Sequence, residues 1–133
     1  MKILASAAAV ALLIATGAIA ETGGVHPLST LPQSGAPVKN YYKQNVYDAS
    51  DNKIGEVSDL LLDKDGRVSA AIVSVGGFVG VGEKDVAVPF DALRLTQKNQ
   101  KWYLVMNADK DALKSAPGFK YDKSKDRWVP EAS

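Results

Sequence analysis

At 133 residues, with 46% hydrophobic and 23% charged side chains, the chain has material for one compact domain and the composition of neither a disordered tail nor a multispanning membrane protein. Sixteen Lys and Arg against fifteen Asp and Glu give a net charge of +1, so no bulk field recruits nucleic acid or anionic lipid. The lack of cysteine excludes disulfides and lipid attachment at a thiol, and His26, the lone histidine, excludes histidine-based triads, zinc triads and proton shuttles.

Lys2 is followed by an apolar run from Ile3 to Ile14 and then by Ala18-Ile19-Ala20, which are the charged, hydrophobic and small-residue regions of a secretory signal peptide. Residues 1–20 are therefore expected to be removed after Ala20, giving a periplasmic or secreted chain with no stable membrane span after cleavage. Ser6, Thr16 and Gly17 make the run a poor permanent anchor, and no basic stop-transfer cluster follows. Residues 21–40 hold Gly23, Gly24, Pro27, Pro32, Gly35 and Pro37 without an apolar period, and read as a flexible linker.

A folded domain is expected over 41–117. Asn45-Val46-Tyr47 leads through a polar turn to a long strand from Ile54 to Asp63, and Asp65-Gly66 is a strong hairpin signal because Gly and Asp tolerate positive φ. Arg67 to Val75 is rich in β-branched residues on both alternating faces and is placed inside a sheet. A glycine-rich loop, Gly76 to Gly82, leads to Val86-Ala87-Val88, which Pro89 closes for want of a donor. Ala92 to Thr96 and Trp102 to Met106 form a last hairpin. Asp109 caps a short helix over Lys110 to Ala116, stopped by Pro117-Gly118. Residues 118–133 form a basic C-terminal extension, weakly ordered, with one aromatic strand around Trp128. The sum is a mainly β protein: a small barrel of five to six short antiparallel strands with one short C-terminal helix.

The stretches Asn45-Val46-Tyr47-Asp48, Ile54 to Asp63 and Gly66-Arg67-Val68, followed by Val75 to Phe90 with its GGFVGVGEKDVAVPF run, resemble the PRC-barrel family over about residues 42–117. The GGFVGVGEKDVAVPF run is similar to the form found in small exported proteobacterial members. The resemblance implies a compact β-barrel related to the cytoplasmic domain of the photosynthetic reaction-centre H subunit and to a domain of ribosome-maturation factors, both of which dock on other macromolecules. It supplies no catalytic residue, and neither specific function carries over, since fold does not settle function.

Motifs that could carry other chemistry fail on spacing. A P-loop needs Gly-Lys followed by Ser or Thr, and here Gly82 is followed by Glu83-Lys84-Asp85; a dinucleotide fingerprint lacks its third glycine. Setting Gly66 at the sixth position of a calcium loop places Leu61 first and Ile72 twelfth, where oxygen ligands are required. From Val46 to Gly66 six acids face two bases, and from Lys110 to Arg127 six bases face three acids, a pattern that suits solvated faces or mutual attraction of two surfaces.

No enzyme, cofactor or metal is expected. The reading is a non-enzymatic binding or adaptor module whose partner is another protein, with a homodimer left open and no nucleic acid. Phe78, Val79, Glu83, Lys84 and Asp85 are its candidate contacts: Phe78 either folds down as a plug at one barrel end or projects with Val79 as an aromatic anchor, rimmed by the three charges. The tendency of exposed aromatics to aggregate favours the plug. The alternative function is a carrier holding a small molecule or lipid in a barrel cavity, although five or six short strands generally leave little cavity.

Overall fold

The computed structural model describes residues 24–78 and 82–131, Gly77 and Phe78 by backbone alone, so the expected signal peptide lies outside the described residues. The chain divides into two units, Met1–Ser34 and Gly35–Ser133. In the first, residues 24–34 form no helix or strand, and Val25, Leu28 and Leu31 are exposed. The second begins with a 3-10 turn at Val38–Asn40, followed by strands β1 (Asn45–Tyr47), β2 (Lys53–Leu62), β3 (Val68–Phe78) and β4 (Gly82–Pro89). A 3-10 turn at Phe90–Ala92 leads to β5 (Leu93–Lys98) and β6 (Lys101–Met106), then helix α1 (Lys110–Ser115), β7 (Phe119–Asp122) and β8 (Arg127–Pro130).

Local chemistry sets the turns. The Asp63 carboxylate accepts from the amides of Asp65 at 2.8 Å and Arg67 at 3.0 Å, and Gly66 takes the left-handed φ of +81° that reverses the chain between β2 and β3. Asn99 and Gln100, with φ of 50° and 69°, make the two-residue turn between β5 and β6. Asp109 caps α1 as expected, its carboxylate accepting from the Ala112 amide at 2.7 Å.

Between β1 and β2, the Asp48 carboxylate accepts from the amides of Ser50 and Asn52, both at 2.9 Å, and from Asn52 Nδ2 at 3.2 Å. These bonds, the Asn52 amide foremost, hold the Asp48 carboxyl below its ordinary 3.8. A depressed folded pKa contributes stability that is present above the ordinary value and is lost as pH falls through the folded one. The melting difference between wild type and Asp48→Ala is therefore expected to be level from neutral pH to about 4 and to shrink below it. Thermal melts across that range check this, and a difference unchanged in acid would contradict it.

Six strands form one sheet in the order β4-β3-β2-β1-β6-β5. Neighbours are antiparallel except β1 and β6, which run parallel with Val46 opposite Leu104 and Tyr47 opposite Val105. Three expectations are corrected. The strands number eight among the described residues, not five or six; they are not all antiparallel; and the barrel does not close, because β4 and β5 end the sheet without pairing. A three-residue connector joins these two edge strands, so the sheet must curl enough to bring their ends within about 14 Å. Pro89, with no amide hydrogen, ends β4 where further pairing would begin.

Curling buries one face. Val46, Val57, Ala71, Val73, Val75, Val86, Leu93, Leu104 and Met106 gather in one cluster with Leu113 of α1. Tyr41 packs against this cluster and against Phe90, ring centroids 4.9 Å apart, whereas Tyr42 is exposed. Strand alternation puts Ile72, between core-facing Ala71 and Val73, on the outer face, yet it is only 1% exposed.

The C-terminal segment explains that burial and corrects another expectation. Instead of a weakly ordered extension with one strand, residues 119–130 form the antiparallel hairpin β7-β8. Tyr121 pairs with Trp128 edge to face, centroids 5.8 Å apart, and the Asp122 carboxylate organises the turn by accepting from the Ser124 amide at 2.9 Å and its hydroxyl at 2.6 Å. Trp128 Nε1 donates to Asp59 Oδ2 at 2.8 Å, and Asp59 is the cross-strand partner of Ile72. With β7 lying beside β4 and Trp128 reaching Asp59 on β2, the hairpin lies over the outer face around Ile72.

Candidate partner-binding site

The expected glycine loop is shorter than its sequence. β3 continues through Gly76 and Gly77 to Phe78, whose backbone pairs with Gly82, and the register shifts between Val75 and Phe78. Two residues without Cβ atoms make such a bulge inexpensive, and Gly82 supplies a φ of +76° where β4 begins. Residues 79–81 are outside the described residues, and with them the candidate Val79; the side chain of Phe78, and so the choice between plug and anchor, is outside them too.

The three charged candidates separate on β4. Glu83 is exposed and, across from Gly76, lines a recess of about 370 Å³ with Lys53, Gly55, Glu56, Ser74 and Lys110. A Cβ at Gly76 would stand 3.3 Å from Glu83 Cγ, so the glycine lets Glu83 lie across β3. Lys84 points the other way. Its ammonium donates to the carbonyls of Lys114 and, at 2.6 Å, Ala116, groups that the end of a helix leaves unsatisfied. Gly118 leaves room for the Lys84 stem, since a Cβ there would lie 3.3 Å from Lys84 Cγ.

Asp85 accepts from the Ser74 hydroxyl, which stands 2.9 Å from the hydroxyl of Ser58. Ser58 sits where the register of β2 against β3 shifts, so a bulge turns it toward Ser74. The result is a polar chain across β4, β3 and β2. Lys84 thus ties β4 to α1 and Asp85 ties it to β3, leaving Glu83 as the charge directed to solvent. Sequence reasoning had no signal for Ser58 and Ser74 beyond two serines in strands; Trp128, a large aromatic among charges, was the visible sign of the anchored hairpin. Among the described residues, no three Asp, Glu, His or Cys side chains gather as a metal set.

One curled sheet wraps an apolar cluster that a short helix completes, and residues 37–113, more than half of the chain, match the PRC-barrel domain. The chain belongs to the PRC-barrel family. No match was found among curated proteins. The PRC-barrel match ends at Leu113, so the β7-β8 hairpin stands outside it while packing on the barrel strands. Lys84, Asp85 and the recess all fall within the matched PRC-barrel region.

Proposed function

We propose that this chain is an exported, non-enzymatic PRC-barrel adaptor of the small proteobacterial type, cleaved after Ala20, periplasmic or secreted, and acting by contact with another protein. The observation that carries the reading is the filled interior: the face enclosed by the curled sheet is occupied by its own valines, leucines and Met106, and the recess beside Glu83 lies open to solvent. That favours contact through surface and loops over a carrier built on an internal cavity. The proposed contact is the end of the β3-β4 hairpin, with Glu83 on its rim and Phe78 and Val79 as its apolar candidates.

The test is capture from periplasmic extract by the mature chain, beginning at Glu21, and by two variants. Glu83→Lys is expected to weaken retention of a defined partner about tenfold while changing stability by less than about 0.5 kcal/mol. Phe78→Ala separates the two roles of that ring: as a plug, its loss should cost about 3 to 5 kcal/mol and lower the melting temperature, and as an anchor it should weaken retention with melting preserved. If no protein is retained above background, or if both variants retain it as wild type does, the reading fails.

A further inference from the structure

The β7-β8 hairpin lies on one half of the outer sheet face, the half that holds β2 and β4. On the other half, alternation against core-facing Leu104 and Met106 directs Tyr103 and Val105 of β6 outward, and Tyr47 of β1 joins them. The two tyrosine rings meet edge to face, centroids 5.7 Å apart and planes at 78°, so they form a right-angled apolar corner. With Val105, Asp51, Lys98 and Asn99 they line a recess of about 300 Å³.

The rim of the corner decides what it can hold. Lys98 is paired with Asp51, which cancels charge at the mouth and removes the bias toward either a cation or an anion. The pair and the Asn99 amide still present both donors and acceptors, which a hydroxyl, itself donor and acceptor, can answer. Asp51 and Asn99 both hold left-handed φ, 68° and 50°, so tight turns fix the two sides of the mouth. The volume is at the low end for ligand sites and suits one small ring. Apolar C–H faces beside a ring of hydroxyls are the chemistry of a neutral sugar, with the C–H face against a tyrosine and the hydroxyls at the polar rim.

We propose that the Tyr47–Tyr103 corner is a binding site for a single neutral pyranose ring, on the outside of the sheet and independent of the β3-β4 hairpin. Few atoms are engaged, so a Kd of order 1 mM is expected. Titration of the ¹⁵N-labelled mature chain with methyl β-D-glucopyranoside, followed by NMR, should shift the amides of Tyr47, Asn99 and Tyr103 together and leave those of β4 unmoved. Glucosamine and glucuronate should bind more weakly. Asn99→Gly suits the left-handed turn, keeps the fold and removes the amide, and should weaken binding about tenfold. Tyr103→Phe keeps the packing and should retain binding within about threefold, whereas Tyr103→Ala should abolish it. Absence of shifts at 20-fold the expected Kd, tighter binding of a charged sugar, or shifts from p-cresol with none from the glucoside would each overturn the proposal.

Discussion

Gly55→Ala is expected to cost about 3 kcal/mol of folding stability, the upper part of the range for overpacking a filled core. A Cβ on Gly55 would stand 2.7 Å from the Ser74 carbonyl oxygen and 2.7 Å from Val73 Cγ1. The valine methyl has some freedom to rotate away. The carbonyl has none, because the neighbouring pairs of Glu56 with Ser74 and Val57 with Val73 hold β2 against β3. Alanine restricts the unfolded chain, a gain of about 0.4–1 kcal/mol that is smaller than the strain it creates. The melting temperature should fall by more than about 10 °C. Gly35→Ala, with nothing within 4 Å of the added Cβ, serves as the control and should melt with wild type. A Gly55→Ala protein melting with that control would show that β2 and β3 can separate at no cost.

Trp128→Ala should be almost as damaging, at about 3 kcal/mol, although it lies beyond the part of the chain that matches the PRC-barrel domain. It removes a half-buried indole, its edge-to-face contact with Tyr121 and its hydrogen bond to Asp59, and so releases the hairpin from the sheet. Ile72 would then face water. Trp128→Phe keeps an aromatic ring but loses the donor to a carboxylate, and should cost about 1.5 kcal/mol. Denaturant melts of the two variants separate packing from hydrogen bonding. Equal losses would mean that the Asp59 bond carries all of the effect, and no loss in either would mean that the hairpin does not hold the domain.

Much of the fold was legible because its causes are local. Asp63 and Gly66 announce a turn, Asp109 announces a cap, and the β-branched run after Arg67 announces an interior strand, each from a few adjacent residues. The parallel pairing of β1 with β6 has no such signature, since Asn45-Val46-Tyr47 reads the same whichever way its neighbour runs. The β7-β8 hairpin was obscured by charge: Lys120, Asp122 and Arg127 interrupt Phe119, Tyr121 and Trp128, and only the period of two reveals an apolar side. At the candidate site, sequence named Glu83, Lys84 and Asp85 as one rim because adjacent charges usually share solvent. In a strand they alternate, and Lys84 and Asp85 found partners on α1 and β3 that no local pattern encodes.

The shortest strand of the large sheet, β1, lies between two groups that are each wired to near neighbours. On one side β2, β3 and β4 follow one another by hairpins; on the other, β5 and β6 do the same. The pairs of Val46 with Leu104 and Tyr47 with Val105 are the seam between them, and the chain separating those residues contains the other strands of the sheet. Closing such a loop costs entropy that grows with the logarithm of its length and must be met before the seam returns any contact. Sequence-distant pairing of this kind raises contact order and slows folding. The two groups can therefore form early, with β1 laid on β2 by its short turn, and the time during which β1 and β6 carry bare edges is governed by how quickly that long loop closes.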